Sequence, residues 1–138
     1  MRRKAREYAL QILYALDLNP AATGDFLKVF WEINDAKPEI VEYTSILVNG
    51  TLANQEKIDA LISSHSSHWK IDRMPATDRN ILRIGTYELL EEQTVPPKAV
   101  INEAIEIAKK FGTTDSATFI NGVLDSIHQE LQKASQHA

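Results

Sequence analysis

The sequence contains no cysteine, which excludes disulfide bridges and thiolate metal sites from its 138 residues. This absence also fits a reducing compartment, so we expect the protein to act in the cytoplasm. The five glycines are isolated from one another, which leaves no glycine-rich loop to hold a phosphate. No apolar run approaches the roughly 18 residues of a membrane helix, and charged residues rather than an apolar segment follow Met1. We therefore expect a single domain without a membrane span.

No group of side chains in the sequence points to catalysis or to a metal. His65 and His68 lie three residues apart in a polar stretch, but no third ligand has a suitable spacing. Glu103 and Glu106 fit the surface of one helix, where Glu106 would form an ordinary pair with Lys110. We expect no enzymatic activity, no cofactor and no metal, and we interpret the chain as a binding protein.

Apolar residues follow a helical period nearly everywhere, and prolines or glycines mark the joints. We predict an all-α fold of about seven helices, with joints near residues 19–20, 31–38, 51–54, 63–68, 96–97 and 112–115. The second helix would begin at Thr23 or Asp25. The polar stretch 63–68 would connect two packed helical subdomains, about 1–70 and about 71–138, within one domain 1–138.

Three residues near these joints carry more specific expectations. Gly112 lies where a left-handed cap would end the sixth helix. Gly122 lies inside the seventh helix, where a missing side chain would let another helix approach closely. Trp69 follows the polar stretch, and we expect it to be buried where the two subdomains meet.

Basic residues are concentrated at the amino terminus. Arg2, Arg3, Lys4 and Arg6 fall within the first six positions, whereas the rest of the chain carries 11 basic and 19 acidic residues, a balance of −8. A basic end on an acidic body can hold a polyanion locally while the remaining surface discourages non-specific binding. The alternative interpretation is a frayed and solvated terminus.

The first helix also carries an aromatic residue that its apolar stripe does not explain. The stripe centres near Ala5 and Ile12, and Tyr14 lies nearly opposite, on the face that carries Arg3 and Leu10. An aromatic ring beside guanidinium groups suits stacking on an unpaired base while the cations hold phosphates. The alternative is that Tyr14 packs against the second subdomain.

Four blocks of the sequence carry a family pattern: residues 2–14 (RRKAREYALQILY), 78–89 (DRNILRIGTYEL), 101–112 (INEAIEIAKKFG) and 119–125 (FINGVLD). In this order and spacing they resemble the NusB family of bacterial transcription antitermination factors. The resemblance implies an all-helical fold of two subdomains and no enzymatic activity. It also implies binding to boxA, a single-stranded element of nascent ribosomal RNA, together with NusE, a small-subunit ribosomal protein. The pair would join a complex on RNA polymerase that suppresses Rho-dependent termination.

The resemblance also assigns roles to individual residues by position. The family's RNA contacts fall on Arg2, Arg3, Lys4, Arg6 and Tyr14, and a polar position that modulates RNA binding falls on Asp115. The family's NusE contacts fall on Asp78, Phe111 and Phe119. Some members have a longer basic arm than this chain, which implies weaker RNA binding here when NusE is absent.

Two other functions remain open at this point. One is a detached NusB-like domain of an RNA cytosine methyltransferase, an enzyme that would need a catalytic cysteine which this chain lacks. The other is a helical scaffold that binds only proteins and whose basic end is incidental. Salt-dependent binding to single-stranded RNA separates the RNA-binding functions from the scaffold.

Overall fold

The structure, a computed structural model, describes residues 2–21, 24–67, 69–91 and 95–136. In these residues it forms seven α-helices, one short 3-10 helix at Ile71–Arg73 and no strand. The α-helices are α1 (Arg2–Leu18), α2 (Gly24–Ile33), α3 (Pro38–Ala53), α4 (Gln55–His65), α5 (Ala76–Leu90), α6 (Pro97–Phe111) and α7 (Ser116–Gln136). The prediction of an all-α fold with about seven helices is confirmed.

Proline and asparagine set several helix ends where the sequence predicts them. Pro38 and Pro97 each begin a helix, where a missing backbone N–H is not needed. Asn54 separates α3 from α4, and its Nδ2 donates to the carbonyl oxygen of Gly50 at 2.8 Å. A side-chain bond of this kind competes with the helical hydrogen bonds and favours a helix end. The candidate cap Thr23 lies outside the described residues.

Helix α5 lies at the centre of the fold. It packs against α1, α3, α4, α6 and α7, and its residues 80–86 are all buried. Fully buried side chains from five helices form the core around it: Ile12, Leu47, Ile58, Ile62, Leu82, Leu89, Ile120, Leu124 and Ile127. Each such burial is worth about 1.5–3 kcal/mol. The division into subdomains near residue 70 remains a prediction, and α1 and α5 pack directly against each other across it.

The carboxyl-terminal end of α1 is fixed to α5 by charge. The Asp17 carboxylate accepts hydrogen bonds from Arg79 Nε at 2.7 Å and from Asn80 Nδ2 at 3.0 Å. Arg83 Nη1 lies 3.3 Å from the same oxygen. Burial raises the pKa of Asp17, but these donors outweigh it, and the pKa lies below its ordinary value. Asp17 therefore stays ionised at neutral pH and holds α1 in place.

The predictions for two glycines are wrong. Gly112 has φ −97° and ψ −168°, which is extended backbone and not a left-handed cap. A Cβ at Gly112 would lie 2.5 Å from Ser116 Oγ, so the glycine leaves room for that hydroxyl. Gly122 has no atom within 4 Å of the place a Cβ would occupy, so no helix approaches it closely. Close approaches occur instead at Gly50, against which the Tyr87 ring of α5 packs, and at Gly85, where a Cβ would lie 2.9 Å from Leu124 Cδ1.

Trp69 and the connector also differ from expectation. Trp69 is exposed rather than buried, because Ser66 takes the inward position at the end of α4. Ser66 Oγ donates to the carbonyl oxygen of Ile62 at 2.7 Å. The polar stretch 63–68 is helical as far as His65, whose Nδ1 lies 2.6 Å from Ser126 Oγ of α7. A tertiary contact thus extends α4 beyond its apolar pattern.

The glycine contacts generate a paired prediction. Replacing Gly85 with Ala should lower the free energy of unfolding by about 1–3 kcal/mol, because Leu124 is fully buried and cannot yield without strain. Replacing Gly122 with Ala is the matched control. This change should raise the free energy of unfolding by about 0.5–1 kcal/mol, because alanine has the better helix propensity. Urea denaturation measures both changes, and a Gly85→Ala variant as stable as Gly122→Ala would contradict the packing described.

Candidate nucleic-acid interface

The amino-terminal turn of α1 presents three cations to solvent. Arg2, Arg3 and Lys4 are all exposed. Tyr14 lies further along α1 with 39% of its surface exposed. Arg3 and Tyr14 point to the same side of the helix, about 16 Å apart along its axis. We call these four residues the α1 face.

Two of these cations lie over aromatic rings. The guanidinium carbon of Arg2 is 4.7 Å from the ring centroid of Tyr43 on α3. Lys4 Nζ is 4.8 Å from the ring centroid of Tyr8. Such cation–π contacts restrict the side chains while leaving their N–H donors partly open to solvent. The amino-terminal turn is therefore supported by neighbouring rings.

Arg6 does not belong to this exposed group. It is 4% exposed, and its Nε and Nη2 donate to the two carboxylate oxygens of Glu88 on α5 at 2.6 and 2.9 Å. Tyr43 Oη donates to Glu88 Oε2 at 2.8 Å. The predicted contact between Arg6 and a phosphate is therefore corrected: its guanidinium is turned inward, because a buried charge requires a hydrogen-bonded partner. Arg6 was grouped with the other cations by its position in the first six residues and by the resemblance, neither of which reveals Glu88.

Burial and charge fix the protonation states of this network. Burial, together with the carboxylate of Glu88, raises the pKa of Tyr43 to about 12. Burial opposes the charge on Arg6, but its bond to Glu88 outweighs burial and leaves the pKa above the ordinary value. Arg6 is thus charged and the Tyr43 hydroxyl is a donor throughout the neutral range. The network can hold α1, α3 and α5 together without depending on small changes in pH.

Acidic side chains lie directly beside the α1 face. Glu103 on α6 accepts from Arg3 Nε at 3.1 Å, and Lys110 Nζ donates to Glu7 Oε1 at 2.9 Å. The hydrogen bond from Arg3 lowers the pKa of Glu103, so this carboxylate is ionised. Lys110 therefore pairs with α1 and not with Glu106 as predicted; Glu106 lies 3.4 Å from Lys109 Nζ instead. No local pattern could reveal pairs separated by about 100 residues in sequence.

The predicted orientation of one α1 side chain is also corrected. Leu10 is buried, although it was placed on the outward side with Tyr14. It lines the small space between α1, α5 and α6 together with Ile81 and Val100. The helix is covered on more sides than a single apolar stripe indicates, because α3, α5 and α6 all contact it.

The predicted partner residues collect around the turn between α6 and α7. Phe111, at the end of α6, is 37% exposed, and Phe119, in the first turn of α7, is half-buried against the core. Asp115 is exposed immediately before α7. Lys110 Nζ lies 5.3 Å from the Phe111 ring centroid while it bonds Glu7, so this turn adjoins α1.

Asp78 stabilises this turn from its buried side. It is 6% exposed, and its Oδ1 accepts a hydrogen bond from Ser116 Oγ at 2.7 Å. Ser116 Oγ in turn accepts from the backbone N–H of Thr113 at 2.9 Å. Asp78, which the resemblance implies as a NusE contact, is therefore not exposed for such a contact: its carboxylate is used inside the protein to fix the turn that carries Phe111 and Phe119.

Neither a cluster of metal ligands nor a membrane-spanning helix occurs in the part of the chain that the structure covers. Among the described residues, no group of three or more His, Cys, Asp or Glu side chains is placed to hold a metal ion. His65 contacts Ser126, and His68 lies outside the described residues. None of the described helices is long and apolar enough to cross a membrane.

Comparison with known proteins gives consistent matches over nearly the whole chain. The profile of the NusB family matches residues 3–129. Transcription antitermination protein NusB of Bdellovibrio bacteriovorus is 45% identical over 128 residues, which cover 91% of this chain and 93% of that protein. The structure of T. maritima NusB superposes with a TM-score of 0.85 at 36% identity, covering 94% of this chain and 92% of the other. A chain in a crystal structure of antitermination factors NusB and NusE in complex with dsRNA gives a TM-score of 0.84 at 32% identity, covering 94% and 96%.

The buried pair and the exposed pair of α1 predict different effects on stability. Replacing Arg6 with Ala leaves the Glu88 carboxylate buried without its cation and should cost about 3–5 kcal/mol of unfolding free energy. Replacing Arg3, on the same helix, with Ala removes only its exposed ion pair with Glu103 and should leave the unfolding free energy nearly unchanged. Urea denaturation followed by circular dichroism compares them. Equal losses in the two variants would contradict the structural role of Arg6.

Proposed function

This chain belongs to the NusB family, and on that premise we propose that it is an RNA-binding transcription antitermination factor that binds boxA together with NusE. In this proposal the protein is not an enzyme; it joins the RNA polymerase complex in the cytoplasm and suppresses Rho-dependent termination. The observation that carries the proposal is the near-complete match to a chain crystallised with NusE and dsRNA. A scaffold that binds only proteins would not account for the exposed cations of the α1 face.

The RNA site of this proposal is the α1 face. Arg2, Arg3 and Lys4 would contact phosphates, and Tyr14 would stack on a base. Their exposure supports these roles, as does the position of Arg3 and Tyr14 on one side of α1. Arg6 acts as a positioning residue, because its bond to Glu88 fixes the rotation of α1 about its own axis. Asp115 would modulate RNA binding from the turn that adjoins α1.

The NusE site of this proposal is the turn between α6 and α7. Phe111 and Phe119 flank the turn and present a small aromatic surface, which is the kind of anchor that protein interfaces favour. Asp78 would support NusE binding indirectly by holding Ser116 and thereby the turn. Near-complete overlap in length with NusB proteins favours this function over that of a detached methyltransferase domain.

The RNA proposal predicts salt-dependent binding with a defined slope. Three phosphate contacts should give a log–log salt slope of about −2 on single-stranded boxA RNA, and replacing Arg2, Arg3 and Lys4 with Ala should nearly abolish it. Fluorescence anisotropy, with and without NusE, measures the slope. Scrambled boxA and a duplex of the same sequence serve as controls. Weaker binding of the scrambled strand would show a sequence preference, and we expect the duplex to bind more weakly than single-stranded boxA because Tyr14 requires an accessible base. The absence of salt-dependent binding to RNA would instead support the protein-only scaffold.

A substitution of Tyr14 tests the proposed base stacking in the same binding experiment. Replacing Tyr14 with Ala should cost about 1–3 kcal/mol of boxA binding while leaving the salt slope unchanged, because stacking releases no counterions. The melting temperature should stay close to that of the wild type, since the ring is partly exposed. A variant that mainly loses stability would assign Tyr14 to packing.

The NusE proposal predicts a loss confined to the protein partner. Replacing Phe119 with Ala should weaken NusE binding by about 2 kcal/mol or more, while direct RNA binding by the isolated chain survives. Phe26 of α2 is the matched control, since it is also a half-buried aromatic that packs against the core but lies on another helix. Calorimetric titration with NusE tests both variants. Wild-type affinity in a folded Phe119→Ala protein would move the interface elsewhere.

A further inference from the structure

One cation of the α1 face is already bound to an acid of the same chain. The Arg3 guanidinium donates to Glu103 through two nitrogens: Nε at 3.1 Å and Nη2 at 2.5 Å, both to Oε2. The Arg3 side chain is nevertheless 54% exposed, and that of Glu103 is 22% exposed. The pair therefore lies at the surface, where a phosphate can reach the same edge of the guanidinium.

Glu103 opposes a phosphate at this place in two ways. It occupies the Nε and Nη2 donors, which form one of the two edges that an arginine offers for two-point binding of phosphate. It also places a negative charge within a few ångströms of any phosphate bound there, and like charges repel across a partly solvated surface. Because an exposed ion pair is weak, a phosphate can displace the carboxylate, although the exchange lowers the affinity.

We propose that Glu103 is an intramolecular counter-ion of the RNA site, which competes with phosphate for Arg3 and thereby keeps weak, non-specific RNA binding low. This inference rests on the proposed RNA-binding function and adds a determinant of affinity within it. Glu103 acts on phosphate contacts, which carry no sequence information. It therefore lowers the affinity for all RNA sequences alike and does not select among bases.

The neighbouring acids do not share this role. Glu7 is buried and bonded to Lys110, so it neutralises a different cation. Glu106 is exposed one turn further along α6 and lies near Lys109. Arg6 Nη1 also lies 3.5 Å from Glu103, but Arg6 retains its two bonds to Glu88 when Glu103 loses its charge. Neutralising Glu103 therefore frees Arg3 without leaving a buried charge unpaired.

The test is the affinity of the full chain for boxA RNA and for scrambled RNA at low salt. Glu103→Gln should bind both RNAs about three- to tenfold more tightly than the wild type, and the gain should shrink as salt is raised. Glu106→Gln is the matched control, with the same change of charge on the same helix, and should gain less than about twofold. Thermal unfolding checks that both variants remain folded.

A double-mutant cycle separates the effect of the Arg3–Glu103 contact on RNA affinity from the general effect of removing a negative charge. In an Arg3→Ala background, Glu103→Gln should gain less than about twofold, because the cation that it releases is gone. An equal gain with and without Arg3 would overturn the pairing. If Glu103→Gln fails to fold, Glu103→Asp shortens the side chain by one methylene, withdraws the carboxylate from Arg3, and should gain about twofold.

Two negative outcomes remain distinguishable. If the wild type binds RNA and folded Glu103→Gln binds no more tightly, this inference is overturned while the proposed function stands. If the wild type binds neither RNA, with or without NusE, the proposed function fails and the inference fails with it.

Discussion

The bond between Arg6 and Glu88 is the constraint on which the amino-terminal half of the structure depends. It places a charge inside the protein, where an unpaired ion would be far too costly, so α1 can settle only in the rotation that brings Arg6 to Glu88. Tyr43 adds α3 to the same carboxylate. At the other end of α1, Asp17 bonds Arg79 of α5. A helix fixed at both ends against α5 has a defined outward side.

That defined side explains how a short, charged terminus can serve as a binding surface. Three neighbouring cations would ordinarily repel one another and fray the first turn of a helix, where positive charge opposes the macrodipole. Here Arg2 lies over Tyr43, Arg3 bonds Glu103 and Lys4 lies over Tyr8. Arg2 and Arg3 are thus compensated by groups of α3 and α6, and Lys4 by the Tyr8 ring of α1 itself, so the turn holds its positive charges outward despite their mutual repulsion.

Local chemistry in the sequence was sufficient to predict the helices. The helices follow from local signals: proline at helix starts, the break at Asn54 and the period of apolar residues. These signals depend only on neighbouring positions and not on distant parts of the chain. Partners distant in sequence were not predictable in this way. Leu10 was assigned an outward position because periodicity describes one buried stripe, and the resemblance implied contact roles for Arg6 and Asp78; α1 and the start of α5 are instead covered on several sides. The candidate surface was therefore predicted in outline, and its acidic neighbours were missed.

The two proposed surfaces are physically joined, and this gives the acidic body a role beyond solubility. Lys110 bonds Glu7 of α1 while lying beside the ring of Phe111, so one ion pair joins the edge of the proposed NusE surface to the helix that carries the α1 face. A partner bound at the turn between α6 and α7 would exclude water from this pair and strengthen it, since electrostatic interactions grow as the effective dielectric constant falls. In the proposed function, NusE would thereby hold α1 more firmly in the position from which the α1 face meets RNA.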